Sequence, residues 1–258
     1  MNRNAPRRGA SKGSPLRSIK RPQSAGKKAG AASKKQAAAN ATPKPERVEL
    51  PTLQLGFVRG VAPSKWAERW ARAVREQPLE LVPVDLHEVE NARTEFDVLL
   101  ERVAPGAIPA GSEAAARTRH AMHLYNETIA LVVPADHELA KLGEIDLEDL
   151  SLLTLLAHPD HFAEWPEPQE WKDPSWTPRN AKATLELVAT GLGGALMAQP
   201  LARHLSNKRV HAVIPVTHNG ETLLPGTEIW ASWRIERDGP DVQHLVGVLR
   251  GRTARSSR

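Results

Sequence analysis

The period of the apolar positions changes along the chain. Residues 53–58 alternate in polarity and are rich in β-forming side chains, which predicts a strand. In the next segment two tryptophans and a valine recur every four residues, with charged residues between them, which predicts an amphipathic helix over 64–76. Ser64 stands where the N-cap of this helix is expected.

The same patterns continue to the C-terminus and predict alternating strands and helices. Further strands are predicted at 79–86, 96–103, 128–134, 152–157, 210–216 and 228–235. Further helices are predicted between the second and third strands and at 144–150, 181–190, 195–205 and 241–250. The strand–helix–strand order at the start is a βαβ unit, so we expect an α/β protein with a parallel sheet.

Charge divides the 258 residues into two unlike parts. Residues 1–48 contain 13 Lys and Arg and one acidic residue, a net charge of +12, whereas residues 49–258 contain 22 basic and 29 acidic residues. The first part has few large apolar side chains, so we expect a disordered basic tail. Its charge favours non-specific DNA or RNA binding through Arg7, Arg8, Lys12, Arg17, Lys20, Arg21, Lys27, Lys28, Lys34 and Lys35. A solubilising tail and a targeting segment are the alternatives.

Several kinds of chemistry are excluded or disfavoured. The chain has no cysteine, which excludes disulfides and thiolate sites, and no apolar run approaches the length of a membrane span or signal peptide, which predicts a cytoplasmic protein. His158, Asp160, His161 and Glu164 are metal-ligand types, but Pro159 breaks their helical spacing, so no metal or other cofactor is expected. We therefore predict no enzyme. Ser64, at a helix N-terminus, is the candidate for binding an anion.

Three segments resemble the effector-binding domain of LysR-type transcriptional regulators. Residues 53–66 are similar to its first strand and helix, and 124–140 are similar to the strand that leads into its "(D)HPLA" stretch, with Glu138 in place of the proline. The most specific match is 187–200, which closely resembles the family's V-x-x-G-x-G block and the proline that follows it, here Pro200. The C-terminal end resembles a stand-alone actinobacterial subgroup of this family.

The resemblance implies a type 2 periplasmic-binding-protein fold, with two α/β subdomains and a ligand cleft between them. Crossover strands are expected near 132–135 and 210–216. The implied boundaries are a tail at 1–48, subdomain I at 49–134, subdomain II at 135–211, a return to subdomain I at 212–251, and a C-terminal tail at 252–258. The implied cleft residues are Val61, Ala62, Pro63, Ser64, Asp97, His158, Pro159, Gly191, Gly193 and Gly194.

The N-terminal part departs from the family pattern. A LysR regulator has a helix-turn-helix there, and residues 1–48 show no such pattern, so we expect no sequence-specific DNA reader in this chain. Our first hypothesis is a small-molecule effector domain in transcription regulation, whose ligand is anionic and which pairs into homodimers as the family does. The alternatives are a nucleoid-type nucleic-acid binder that acts through the tail and an exported solute-binding protein.

Overall fold

Two main β-sheets organise residues 50–251, the part of the chain that the computed structural model describes. The strands are β1 (Leu53–Val58), β2 (Leu79–Val84), β3 (Val98–Val103), β4 (Arg119–Glu127), β5 (Ile129–Pro134), β6 (Ala195–Ala198), β7 (His211–Pro215), β8 (Thr217–His218), β9 (Glu221–Thr222) and β10 (Thr227–Arg234). The helices are α1 (Ser64–Ala73), α2 (Val89–Glu95), α3 (Leu147–Leu150), α4 (Ala181–Val188), α5 (Gln199–Leu205) and α6 (Pro240–Leu249). The predicted tails at 1–48 and 252–258 lie outside the described residues.

The first lobe is built on a five-stranded sheet with the order β2-β1-β3-β10-β4. The strands β1, β2 and β3 are parallel, as the βαβ pattern predicts, but β10 runs antiparallel to both β3 and β4. The expectation of a purely parallel sheet is therefore corrected to a mixed one. The reason is that β10 reaches the sheet from the second lobe and not through a crossover helix.

Apolar side chains of the first sheet form a core with α1, α2 and α6. Trp70 of α1 is almost fully buried, and its indole N–H donates to the Gln77 carbonyl oxygen at 2.9 Å. Its ring meets His244 of α6 edge to face, with ring centroids 5.4 Å apart. Burial of the tryptophan face explains why the four-residue spacing predicts this helix correctly.

The second lobe is built on a three-stranded antiparallel sheet with the order β6-β5-β7. All of β6 is buried, and it pairs with β5 over Ile129–Val132. The helix predicted at 195–205 is therefore wrong in its first four residues, because these apolar residues are buried inside the second lobe and pair with β5. Pro200 then lies in the first turn of α5, where its missing N–H costs nothing. The strand predicted at 152–157 is reduced to isolated bridges at Leu155 and Leu156.

The chain crosses between the lobes at two adjacent places. The first crossing lies at 127–128, since β4 belongs to the first sheet and β5 to the second. The second lies just before β10, since β7 pairs with β5 along its length. Both crossings differ from the expected crossover strands and from the boundaries at 134/135 and 211/212. The strands β5 and β7 both belong to the sheet of the second lobe, and short loops make the crossings. The strand β4 was not among the strands that the polarity pattern predicted.

None of the helices within 50–251 has the length and apolar character that a membrane span requires.

Candidate functional site

A cavity of about 200 Å³ opens between the two lobes. It lies where the C-terminal ends of β1, β2 and β3 face the N-terminal end of α4 and one side of α5, and the C-terminal ends of strands are where open α/β sheets bind ligands. From the first lobe it is lined by Val58, Arg59, Asp85, Leu86 and Arg102, and from the second by Asp160, Asn180, Ala181, Lys182, Leu201 and Leu205. We call this the cleft cavity.

The lobes are in close contact at Gly60. This residue has φ +91°, and a Cβ atom there would lie 2.7 Å from the Leu201 backbone nitrogen. A glycine is needed both for the backbone conformation and for this contact. The turn after β1 therefore packs directly on the first residues of α5 and forms one wall of the cavity.

A salt bridge at the edge of the first sheet forms another wall. The Arg59 Nε donates to the Asp85 carboxylate at 2.5 Å, and both side chains are partly exposed. Asp85 also caps the single helical turn that follows β2, in a capping box with Glu88. The two residues end neighbouring parallel strands, and this places their side chains together.

Arg102 supplies a buried cation to the cavity. Its side chain is 2% exposed, and it forms a bidentate salt bridge with Glu127, with Nε to Oε2 at 2.6 Å and Nη2 to Oε1 at 3.1 Å. Nη2 also donates to the Arg59 carbonyl oxygen at 3.1 Å. Within residues 50–251 the third nitrogen, Nη1, has no hydrogen-bond partner. Because Arg102 lines the cavity, Nη1 is the donor that remains for a ligand.

The carboxylate that holds Arg102 lies at the hinge between the lobes. Glu127 ends β4 at the first crossing, and its Oε2 also accepts a hydrogen bond from the Thr227 hydroxyl at 3.0 Å, just after the second crossing. The crossings touch at Gly226, where a Cβ atom would lie 2.2 Å from the Glu127 carbonyl oxygen. Glu127 thus links both crossings to the cation in the cavity.

Asp160 supplies a buried carboxylate from the second lobe. Only 7% of its surface is exposed. Burial raises the pKa of the Asp160 carboxyl, and the nearby Arg102 guanidinium opposes that rise. The Ala181 N–H, the first of α4, donates to this carboxylate, while Asn180 caps the same helix by accepting from the Ala183 N–H at 3.0 Å.

None of the ten predicted cleft residues lines the cleft cavity. Val61 to Ser64 follow Arg59 and Gly60 in sequence. Val61 and Pro63 are buried in the first lobe, while Ala62 and Ser64 are exposed. The N-cap of α1 is Pro63 and not Ser64, which is the first helical residue, and no side-chain hydrogen bond caps the helix.

Asp97 lies at the opposite end of the strands of the first sheet. It directly precedes β3, whereas the cavity is at the far end of that strand. Its carboxylate accepts from the Arg237 Nε at 2.6 Å and from the Gln54 N–H at 2.8 Å. The structure therefore gives Asp97 a role in joining β1, β3 and the segment before α6, away from the cleft.

His158 and Pro159 directly precede the cavity residue Asp160. His158 is buried, and its Nε2 bonds to the Leu196 carbonyl oxygen at 2.9 Å, while Pro159 is exposed. Burial, together with the nearby His161, lowers the pKa of His158 to about 3. A neutral histidine bonded to the backbone packs the loop that presents Asp160. Within residues 50–251 no group of three or more candidate metal ligands occurs.

The glycine block lies at the far end of α4. Gly191 has φ +83° and ends the helix, and Gly193 and Gly194 lie against the 153–156 segment. A Cβ at Gly193 would lie 2.4 Å from the Thr154 carbonyl oxygen. Because α4 leads away from the cavity and β6 leads back towards it, these glycines lie at the far end of both elements, where they allow close packing inside the second lobe and do not line the cleft cavity.

Arg102 and Asp160 were missed as cavity residues for different reasons. Arg102 stands in the buried strand β3, where two adjacent charges, Glu101 and Arg102, in an otherwise apolar run are a signal that could have found it. Asp160 was considered only as a metal ligand. Its neighbours in the cavity come from segments far apart in sequence, and no local sequence pattern indicates that these segments lie close together.

Comparison with known proteins identifies the family. Residues 47–254 match the family described as LysR substrate binding domain. No curated protein matches the sequence.

Several solved structures share the fold. The reduced OxyR regulatory domain from Pseudomonas aeruginosa is 18% identical with a TM-score of 0.54, over 78% of this chain and 95% of that one. A hydrogen-peroxide-bound OxyR mutant from Corynebacterium glutamicum is 16% identical with a TM-score of 0.56, over 78% and 66%. The BenM effector binding domain with its effector benzoate is 18% identical with a TM-score of 0.53, over 78% and 91%.

Proposed function

The chain belongs to the LysR substrate-binding-domain family, and from this premise we propose that it binds a small-molecule effector in the cleft cavity and takes part in transcription regulation without catalysing a reaction. The resemblance predicted from the sequence and the type 2 periplasmic-binding-protein-like fold are both confirmed. The single observation that carries the proposal is the cavity between the lobes, which is lined from both sides and contains the buried cation Arg102.

We propose that the effector carries an anionic group. The free Nη1 of Arg102 supports this, because a charged donor in a buried site favours an anionic acceptor. The N-terminus of α4, which also lines the cavity, adds a favourable dipole. The volume of about 200 Å³ lies below the ~300–1,000 Å³ of sites for drug-sized ligands, so the effector is small.

We propose that binding acts by drawing the lobes together. The ligand would contact both lobes, and the two short crossings at 127–128 and 225–226 leave the lobes free to rotate about them. Thiol chemistry has no place in such a response, because the chain contains no cysteine.

A thermal-shift screen of the full chain against carboxylates, amino acids, aromatic acids and nucleotides tests this function. A ligand at about 100 times its Kd should stabilise the fold by roughly 2.7 kcal/mol. Leu205→Trp should abolish the shift, because Leu205 lines the cavity and the larger ring fills it. The matched control is Leu187→Trp, a half-buried leucine outside the cavity. A shift that survives Leu205→Trp would place the ligand elsewhere.

We also propose that the basic segment 1–48 binds nucleic acid without sequence preference, on the observation of its +12 charge. The test is DNA binding by the full chain as salt is varied, compared with a variant in which the ten lysines and arginines named above are replaced by glutamine. A steep salt dependence that is lost in the variant supports the proposal, whereas unchanged affinity contradicts it. Pairing into homodimers stays a prediction.

A further inference from the structure

We propose that the cleft cavity selects small zwitterions of the α-amino-acid class, with the ligand carboxylate on Arg102 and the ligand ammonium group on Asp160. This inference rests on the proposed function and specifies its ligand. It also differs from the effector in the BenM structure, benzoate, which carries an anionic group and no amine.

The first argument is the unmatched charge of Asp160. The side chain is 7% exposed, and among residues 50–251 it forms no salt bridge. The Asn180 amide already caps α4, so the helix does not require an acidic side chain as a second cap. A backbone N–H alone leaves most of the hydrogen-bonding capacity of a carboxylate unused. A buried carboxylate in this state favours a ligand that brings donors and positive charge.

The second argument is the position of Asp160 relative to Arg102. The two residues come from opposite lobes and line the same cavity. They influence each other electrostatically without a salt bridge between them. A ligand that carries both charges on adjacent groups can lie between them and satisfy both, which also joins the lobes.

The third argument is that the other acidic groups near the cavity are already paired, while Lys182, a second cation in the lining, forms no salt bridge among the described residues. Asp85 is held by Arg59, and Glu127 holds the Nε and Nη2 of Arg102. A simple carboxylate would satisfy Arg102 but would approach Asp160 with like charge. A simple amine would satisfy Asp160 but would approach Arg102 with like charge. The zwitterion is the class that avoids both repulsions.

The test is a calorimetric titration and thermal-shift panel on the full chain. The panel contains the standard L-amino acids, each at about 100 times the Kd that titration gives where binding is seen, and matched acids without the amine: propionate for alanine, succinate for aspartate, hydrocinnamate for phenylalanine. We expect at least one amino acid to bind while its matched acid does not. We expect Asp160→Asn to raise the Kd of that amino acid roughly 10- to 100-fold.

Two controls make the outcome specific. The variant Asp160→Asn keeps an oxygen that accepts from the Ala181 N–H, and Asp160→Ser removes the same charge with a smaller side chain if the first variant fails to fold. Asp136→Asn makes the same charge change at an exposed position of the second lobe and should leave the Kd unchanged.

The failures are distinguishable. If the acids without an amine bind as well as the amino acids, and Asp160→Asn leaves or improves their binding, the zwitterion inference is overturned and the effector function stands. If no compound in either half of the panel shifts the wild-type protein, the inference is overturned together with the anionic ligand of the proposed function.

Discussion

At the scale of single residues, the buried pair of Arg102 and Glu127 combines a stabilising contact with the binding role that we propose for Arg102. Both side chains are almost fully shielded, at 2% and 0% exposure. A buried charge whose partner is removed keeps its desolvation cost and loses the compensating attraction. The pair is therefore needed for the fold even without a ligand. Replacing either member alone lowers the stability of the fold.

We predict that Glu127→Ala lowers the free energy of unfolding by about 3–5 kcal/mol, because it leaves the Arg102 guanidinium buried and unpaired. Chemical denaturation followed by circular dichroism measures the change. The control is Glu236→Ala, which removes an exposed partner of Arg234 and should change stability by less than about 0.5 kcal/mol. Equal effects of the two variants would contradict this account.

The buried His158 predicts a dependence of stability on pH. Its pKa of about 3 in the folded protein is below the ordinary value of 6.5, so the unfolded chain binds the proton more readily between these values. The contribution of neutral His158 to the free energy of unfolding is fully present above about pH 6.5. It is lost progressively as the pH decreases towards 3. His161, whose pKa is also lowered by burial, acts in the same direction.

The expected slope for His158 is at most about 1.4 kcal/mol per pH unit. Urea unfolding between pH 7.5 and 5 measures it. His158→Gln should flatten the dependence while keeping a donor for the Leu196 carbonyl oxygen, whereas His204→Gln, at an exposed position, should leave it unchanged. A slope that His158→Gln does not reduce would assign the effect to another group.

At the scale of elements, the contact between the β1–α1 turn and α5 sets how closely the lobes approach. We predict that Gly60→Ala weakens effector binding, because its Cβ would overlap the Leu201 backbone and hold the lobes apart. Gly106→Ala is the matched control, since Gly106 also has positive φ, at +72°, but no atom within 4 Å of the added Cβ. Both variants should carry the roughly 1–2 kcal/mol strain of a left-handed residue.

The measurement is the ligand-induced thermal shift of each variant relative to its own unliganded protein. Only Gly60→Ala should lose the shift. A loss in Gly106→Ala of the same size would mean that backbone strain, and not the contact between lobes, explains the effect.

Elements with a strong local period could be predicted from the sequence, and those defined by their partners could not. The tryptophan spacing located α1, and the apolar run located β5, because each pattern is local. The strand β6 was mistaken for a helix, because Ala, Leu and Met are good helix formers and only pairing with β5 makes 195–198 a strand. The glycine block identified the family, yet its glycines serve packing between α4 and the 153–156 segment.

At the scale of the whole molecule, residues 50–251 form two lobes, each built on its own sheet, with a small cavity between them. Two chain crossings, which contact each other, join the lobes. The mixed sheet of the first lobe contributes a buried cation, and the antiparallel second lobe contributes a buried carboxylate. The cleft could be expected from the family resemblance, but its lining could not, because residues such as Arg59 and Asp160 are about a hundred positions apart. The proposed ligand binding would therefore depend on the assembly of the two lobes and not on either alone.

The shared role of Glu127 has a consequence for protein engineering. Anyone who wishes to convert this domain into a biosensor for another compound would first think of replacing Arg102. That change would also release the carboxylate that ties both crossings, so ligand preference and the mechanical response would alter together. Asp160 has no bond to the crossings among the described residues. Redesign of the ligand preference should therefore begin in the second lobe, where side chains can be replaced without changing the contacts of Glu127 with the two crossings.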